Sequence, residues 1–395
     1  MRKRSRRRWC WLGANLCRLL LSLTFLFSGT VKLIDPRGTQ YKIEDYATLF
    51  NVSGLLAYVS PLVLAIGLAM LEFYVGFNLF FSIRRRTTTR LTLGVMLVMT
   101  PLTLFLALKG GNIDCGCFGD AVRLTPWQTF AKNVVLLGAS LVVVKSYRRL
   151  TRFISERNQW MLSLYALIFS FFLAIYNVRN LPVMDFRPYY IGVDLAEEIT
   201  GVLEGRSEEM EYLELFFQDA EGEDITMDWL SRPGYKFLMV APFLEKADDG
   251  SMDCINALYE YCQQHDYPFL CLTSSVGENL ERWKDLTGAE YPFAMADGTL
   301  LKTMIRSNPG LMLLHDATVF NKWPASSLPK PELFSAPLEQ LQIGQMQVKS
   351  RMKTVYRLLL WFILPLLILT TVDRIWVGRK LYRRHKIHKN LNTRK

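Results

Sequence analysis

The heptapeptide Asp114-Cys115-Gly116-Cys117-Phe118-Gly119-Asp120 lies between two apolar segments that are long enough to cross a membrane. Two thiols separated by one glycine can close a small, strained disulfide ring, and strained disulfides are typically the reactive ones. Gly116 suits such a ring because a residue without a Cβ adopts dihedral angles that other residues avoid. Two other interpretations stay open. One is a turn that contains cysteines by chance, and the other is a zinc site, which the lack of a neighbouring histidine or third cysteine in the sequence disfavours.

The charge of the chain is divided between two regions. The 395 residues carry a formal net charge of +11, and half of them are hydrophobic. Residues 180–354 contain 14 Lys/Arg against 28 Asp/Glu, whereas the remainder contains 33 against 8. This distribution indicates a basic membrane part and a separate acidic soluble domain, and it argues against nucleic-acid binding.

Six apolar runs have about the length that a bilayer requires. The first is too long for the apolar region of a signal peptide, and no small-residue cleavage site follows it, so we expect a retained transmembrane helix. The last is the shortest and carries Pro365, which helices in lipid tolerate. The runs are Trp9–Ile34, Gly54–Ile83, Leu91–Leu108, Gln128–Val144, Trp160–Val178 and Tyr356–Val372.

The basic residues orient these six helices. Segments 1–8, 84–90, 145–157 and 374–395 together carry 24 Lys/Arg, whereas segments 35–53 and 109–126 carry two each. The positive-inside rule then predicts that both termini are cytoplasmic and that the cysteine loop and the acidic domain face an oxidising compartment. We therefore expect a multi-pass protein of the cell inner membrane, embedded in the lipid bilayer, with residues 180–354 in the periplasm.

The expected domain organisation follows from these assignments. A basic cytoplasmic N-terminus spans residues 1–8, and a four-helix membrane domain spans 9–146. The fifth transmembrane helix covers 158–179, and the extracytoplasmic domain covers 180–354. The sixth helix, 355–373, leads into a basic cytoplasmic tail at 374–395.

Polar residues inside the membrane segments are candidates for function. Glu72 lies near the middle of the second helix, where a carboxylate costs on the order of 2.5–3.5 kcal/mol to insert, so we expect it to face the bundle interior as a functional group. The alternative is a structural hydrogen bond, for instance to Asn133 or a tyrosine. Lys32, near the end of the first helix, is expected to extend to the membrane surface. Thr125 and Pro126 form a helix-start signal directly after the cysteine loop.

Four sequence motifs carry a family resemblance. In chain order they are Phe27-Ser28-Gly29-x-x-Lys32, Leu71-Glu72-Phe73-x-x-Gly76, Thr100-Pro101-Leu102-Thr103 and the cysteine heptapeptide. This part of the chain resembles the DoxX-like membrane family, in particular the branch of the methylamine-utilisation protein MauE. The resemblance implies a four-helix membrane bundle associated with periplasmic redox chemistry, which in the MauE case is linked to making disulfides in a partner protein. It favours Cys115 and Cys117 as a redox pair.

The soluble domain has a different pattern of elements. Strands are predicted at 212–217, 236–241 and 268–273, helices at about 251–265 and 279–286, and a hairpin at 305–314 and 318–323. This order is similar to the thioredoxin fold over residues 210–325. In that family the proline before the fourth strand is cis and faces the active cysteines, and Pro309 occupies the matching position. The resemblance therefore predicts a cis bond between Asn308 and Pro309.

The soluble domain departs from the thioredoxin pattern at its active site. Where that family has Cys-x-x-Cys, this chain has Ser251-Met252-Asp253-Cys254, and one thiol cannot run a dithiol cycle. The simpler interpretation of Cys254, which we favour, is a small, partly buried residue at a helix start. Cys262 and Cys271 fall on apolar faces typical of the core. Two further cysteines, Cys10 and Cys17, are interpreted as packing residues of the first transmembrane helix.

Two classes of function remain. The first is a membrane thiol–disulfide oxidoreductase, or an accessory of one, that acts on a periplasmic client or redox protein through Cys115 and Cys117. A quinone near Glu72 is then the candidate cofactor. The arrangement of membrane helices with a thioredoxin-like outer domain is similar to bacterial vitamin K epoxide reductase homologues. Those proteins carry a second cysteine pair inside a helix, which is missing here, and this weakens the case for quinone reduction. The second class is a non-catalytic membrane scaffold or chaperone with a structural loop disulfide. A transporter has less support.

Overall fold

The computed structural model describes residues 2–51, 54, 58–109, 116–122, 124–204, 212, 215–346 and 351–392. The chain divides into two compact units. One comprises residues 1–176 and 352–395, and the other comprises residues 177–351. Asp114 and Cys115 of the heptapeptide lie outside the described residues, whereas Gly116 to Asp120 lie within them.

The first unit is helical. Three of its helices begin at a proline that follows a polar N-cap residue. One of these caps is Thr125, as the sequence predicts, and its side chain accepts a hydrogen bond from the Gln128 N–H. Its helices from residue 2 to residue 179 are α1 (Arg2–Ile34), α2 (Pro36–Leu49), α3 (Pro61–Phe81), α4 (Arg85–Lys109), α5 (Pro126–Lys145) and α6 (Gln159–Arg179).

The second unit is built on a five-stranded mixed sheet. Parallel pairing joins β1 (Tyr235–Ala241) to β2 (Phe269–Thr273), and β2 to β3 (Phe293–Met295). The hairpin β4 (Gly310–His315) and β5 (Thr318–Pro324) adds antiparallel to β1, which gives the order β3-β2-β1-β4-β5. The helices are α7 (Leu195–Leu203), α8 (Thr226–Leu230), α9 (Met252–Gln264), α10 (Glu278–Thr287) and α11 (Gly298–Met304).

The chain returns to the first unit through α12 (Arg351–Asn392). The apolar run that the sequence predicts to cross the membrane, Tyr356–Val372, lies inside this helix. The candidate span in α12 is Met352–Arg379, with 28 residues. The helix is longer than its apolar run because it continues through basic residues, which are good helix formers. Phe362 packs against Phe73 and Phe169, with ring centroids 5.6 and 4.7 Å apart.

Six helices within the described ranges are long and apolar enough to cross a membrane, namely α1, α3, α4, α5, α6 and α12. Length and composition together make this a multi-pass membrane protein with an additional α/β unit.

The sheet of the second unit separates two hydrophobic clusters. Because side chains alternate along a strand, Leu238 and Val240 of β1 lie in one cluster, whereas Phe237 and Met239 lie in the other. All four are fully buried. The continuous apolar run at 236–241 therefore indicates a central strand whose two faces are both buried.

The strand predicted at Tyr212–Phe217 is not formed in the described part of that segment. Tyr212, Leu215 and Phe217 are buried, but pairing is limited to single bridges that Gln218 makes. The Phe217 N–H donates instead to Thr226 Oγ1 at 2.7 Å, which satisfies the main chain without a neighbouring strand. Apolar alternation here reflects core contacts alone.

Other elements agree more closely with the sequence. The helices expected at 251–265 and 279–286 correspond to α9 and α10, and the hairpin corresponds to β4 and β5. The Asn308–Pro309 bond, expected to be cis, is cis. The short elements β3, α7 and α11 were not predicted.

Candidate functional site in the helical unit

Helices α1 and α3 approach each other closely at two glycines. A Cβ on Gly29 would lie 2.7 Å from Phe73 Cα, and a Cβ on Gly76 would lie 2.6 Å from Leu26 N. Small residues permit such backbone contact between membrane helices. The crossing therefore brings together the two motifs that contain Gly29 and Gly76.

A buried ion pair lies at this crossing. Lys32 Nζ is 2.5 Å from Glu72 Oε1, and the two residues are each 4% exposed. Ser28 Oγ lies 2.7 Å from the other carboxylate oxygen, Oε2. Ser28 and Lys32 are four residues apart on α1, so they share a face and reach the same carboxylate. The crossing thus assembles a charged residue from each helix and a hydroxyl.

This geometry corrects two expectations. Lys32 does not extend to the surface, and the partner of Glu72 is not Asn133, which donates to Thr103 Oγ1 at 3.2 Å. Removing a charge from water is costly, and a buried carboxylate is stabilised most by a cation at contact distance. The four-residue spacing of Ser28 and Lys32 indicates that they share one face of α1, but it does not reveal which helix that face meets.

The cysteine loop is connected to this ion pair. The Ser28 hydroxyl is within hydrogen-bonding reach of the Cys117 carbonyl as well as of Glu72. Cys117 is 8% exposed and packs against Leu106 of α4. The main chain of Cys117 is therefore held against the helical unit, one hydroxyl away from a buried carboxylate.

Two glycines shape the described part of the loop. Gly116 and Gly119 have φ values of +59° and +56°, in the left-handed region that favours glycine. The Gly119 N–H donates to the Gly116 carbonyl at 3.1 Å and closes a tight turn. Lys42 of α2 covers this turn, because a Cβ on Gly116 would lie 2.5 Å from Lys42 Cδ and Lys42 Nζ is 3.3 Å from Asp120 Oδ1.

Phe118 fixes the other side of the loop. Its ring meets Phe27 edge-on, with centroids 5.3 Å apart. Lys132 of α5 places its Nζ 4.0 Å from the Phe118 ring centroid, a cation–π contact. Helices α1, α2, α4 and α5 therefore all contact the loop.

Three of the four sequence motifs thus converge on one place. The fourth, Thr100 to Thr103, contributes hydrogen bonds within α4 and the contact of Thr103 with Asn133. The predicted pair partner, Cys115, lies outside the described residues, so the structure locates Cys117 alone.

The surroundings of Glu72 do not fit a bound quinone. Both carboxylate oxygens are already engaged, by Lys32 and by Ser28. The side chain is enclosed in the helical unit, with Glu72 4% exposed, and a carboxylate paired with Lys32 has no proton to donate to a quinone carbonyl. Glu72 is better described as one half of an ion pair than as a cofactor ligand.

The cysteines of the α/β unit are in different surroundings. Cys262 and Cys271 are fully buried, and burial raises the pKa of both thiols, which makes them poor nucleophiles. Cys254, at the start of α9, is partly exposed. The Pro309 turn lies near this helix start, because the Asp248 N–H donates to the Asn308 carbonyl at 3.0 Å.

A second polar cluster in the α/β unit was not predicted. Asp185 Oδ1 is 3.1 Å from Arg187 Nε, and Oδ2 is 3.3 Å from Lys322 Nζ. Burial alone raises the pKa of Asp185, but Arg187 and Lys322 outweigh burial and lower the pKa to about 2. Lys322 also donates to the Met304 carbonyl at 2.8 Å, so the cluster ties the start of the unit to α11 and β5.

Metal binding has no support in the described ranges, where no group of three or more His, Cys, Asp or Glu side chains is placed to hold an ion.

The fold and the site define a multi-pass membrane protein with a buried Lys–Glu pair beneath a cysteine loop. Residues 11–146 match the family model of methylamine utilisation protein MauE. The match covers about a third of the chain, from within α1 to the end of α5, and includes the whole heptapeptide. No curated protein and no solved structure matches the chain.

Proposed function

We propose that this chain is an inner-membrane protein of periplasmic thiol–disulfide exchange, either an oxidoreductase or its accessory. Cys115 and Cys117 are the exchanging pair, and the partner is a periplasmic client or redox protein. The observation that carries the proposal is the hydrogen bond that fixes the Cys117 main chain to Ser28, beside the Glu72–Lys32 ion pair. The similarity of residues 11–146 to MauE covers the same site.

The exchange is balanced between the protein and its client. A client thiolate attacks one sulfur of the Cys115–Cys117 disulfide, a client–protein disulfide forms, and the other loop sulfur leaves as a thiolate. The second client thiolate then displaces the protein, which releases an oxidised client and a reduced loop. Two electrons and two protons pass from the client dithiol to the loop, and the reverse direction uses the same steps.

The α/β unit is assigned the role of binding the client. Its strand order and the cis bond before Pro309 support a thioredoxin-like domain. Its single Cys254 at the start of α9 leaves it without a redox pair of its own. The basic residues at the ends of the spans support a periplasmic placement for residues 180–354.

The alternative is a non-catalytic scaffold or chaperone whose α/β unit binds a periplasmic partner. The observation that favours it is the burial of Cys262 and Cys271, which leaves that unit without an exposed thiol pair in the described residues. The two functions differ in one respect: the scaffold does not require the loop thiols to exchange.

Trapping of a covalent intermediate tests the proposal. With Cys117→Ser, Cys115 keeps its thiol but cannot be resolved by its neighbour, so a disulfide to a periplasmic client should accumulate in non-reducing gels. Cys254→Ser is the matched control and should behave as wild type. A complementation assay in which Cys115→Ser and Cys117→Ser are both fully active would refute exchange and favour the scaffold.

A further inference from the structure

The Ser28 hydroxyl occupies a position between two acceptors. It lies 2.7 Å from Glu72 Oε2 and also contacts the Cys117 carbonyl oxygen. Ser28 is 7% exposed, so water does not replace either contact easily. The hydroxyl has one proton, so it donates to one of these two acceptors at a time. Lys32 holds the second carboxylate oxygen at 2.5 Å and thereby fixes the position of Glu72 beside Ser28. A continuous chain of contacts therefore runs from Lys32 through Glu72 and Ser28 to the loop.

We propose that Ser28, placed by the Lys32–Glu72 ion pair, is a positioning residue that holds the Cys117 main chain and limits access to the Cys117 thiol. This inference rests on the proposed exchange function for its purpose, but its first readout does not depend on it. Cys117 is 8% exposed and packs against Leu106 of α4. A reagent or client therefore reaches the sulfur more easily when the Cys117 main chain is released from Ser28.

The ion pair is suited to this role because its position is fixed. The backbones of α1 and α3 are in contact at Gly29 and Gly76. Ser28 directly precedes Gly29, and Glu72 directly precedes Phe73, which Gly29 contacts. Neither charge reaches solvent, so the carboxylate stays aimed at Ser28. The Cys117 main chain is thereby held next to a close backbone contact between two helices.

Ser28→Ala is the decisive variant because it leaves both charges of the ion pair in place. Loss of one ordinary hydrogen bond corresponds to about a fivefold change in an equilibrium. Alkylation of Cys117 in a Cys115→Ser background should therefore become about fivefold faster. In the protein with both cysteines, exchange with a glutathione buffer should accelerate by a similar factor. Ser28→Thr, which keeps the hydroxyl, should restore the wild-type rates.

Ser163→Ala is the matched control. Ser163 is 8% exposed and donates to Asn78 Oδ1 at 2.9 Å, so its removal also deletes a buried hydrogen bond between two helices of the same unit. A general loosening of the unit would accelerate alkylation in both variants. Equal rates for Ser28→Ala and Ser163→Ala would overturn the proposal.

A second comparison tests whether the ion pair acts through Ser28. Lys32→Gln combined with Glu72→Gln removes both charges while keeping polar groups of similar size. This pair of changes should also accelerate alkylation, and adding Ser28→Ala should give no further increase, because all three residues belong to one chain of contacts. Additive effects would overturn the coupling.

The outcomes separate this inference from the proposed function. If the wild-type pair does not exchange with glutathione at all, the exchange function fails, whereas the alkylation rates still decide the role of Ser28. If the wild-type pair exchanges and Ser28→Ala matches the control, the positioning role alone fails.

Discussion

Gly29→Ala should separate α1 from α3 and disrupt the site without touching a polar residue. The added Cβ would lie 2.7 Å from Phe73 Cα, and the nearest atoms are main chain, which cannot rotate away. Restoring ordinary contact distance requires a displacement of about 1 Å. Overpacking of this kind typically costs about 1–3 kcal/mol. We expect the free energy of unfolding in mixed SDS micelles to fall by that amount.

A matched substitution is available on the same helix. Gly13 of α1 has no atom within 4 Å of the position of an added Cβ, so Gly13→Ala should leave stability unchanged or raise it slightly. Gly29→Ala should also accelerate alkylation of Cys117 in a Cys115→Ser background, because Ser28 moves with α1. If Gly29→Ala proved as stable as Gly13→Ala, the close crossing of α1 and α3 would be refuted.

Three further predictions concern the α/β unit and the topology. The pKa of Asp185 is lowered to about 2, so the stabilisation by this carboxylate is present above its ordinary pKa of 3.8 and is lost as the pH falls toward 2. Asp185→Asn should remove about 2 kcal/mol of protection from hydrogen exchange in β5 at neutral pH. If the protection of variant and wild type changed with pH in parallel, this prediction would be contradicted. Cys254 should react with maleimide well before Cys262 and Cys271, because these two thiols are fully buried and burial raises their pKa. Equal reaction rates under native conditions would contradict the burial of Cys262 and Cys271. Alkaline phosphatase fused after Pro331 should be active and fused after Lys380 inactive, and the reverse result at either position would reject the proposed topology.

The sequence predicted the elements better than it predicted their contacts. Apolar length was enough to locate six spans, and the continuous run at 236–241 was enough to locate the central strand. By contrast, hydropathy does not indicate how far α12 continues beyond its apolar part. The run at 212–217 suggested a strand, but its alternation reflects burial without pairing.

The candidate site was predictable in part. Glu72 stands out because a carboxylate is costly inside a membrane, and the cysteine loop stands out because Cys-Gly-Cys can close a small, strained ring. The partner of Glu72 was missed because Lys32 is 40 residues away on another helix, and only the rotation of α1 decides whether it meets lipid headgroups or a carboxylate. Ser28 was missed as a site residue for a similar reason, since a serine in a membrane helix commonly bonds to its own backbone.

The central claim is that the loop cysteines exchange a disulfide, and thiol trapping in membranes tests it most directly. Membranes would be equilibrated with glutathione buffers of graded potential, quenched in acid, and alkylated with a mass-shifting maleimide. We expect a single two-electron transition of the Cys115–Cys117 pair, with a tenfold change in the ratio of oxidised to reduced protein for about 30 mV. A pair that stays in one redox state across the whole range of buffers would contradict it.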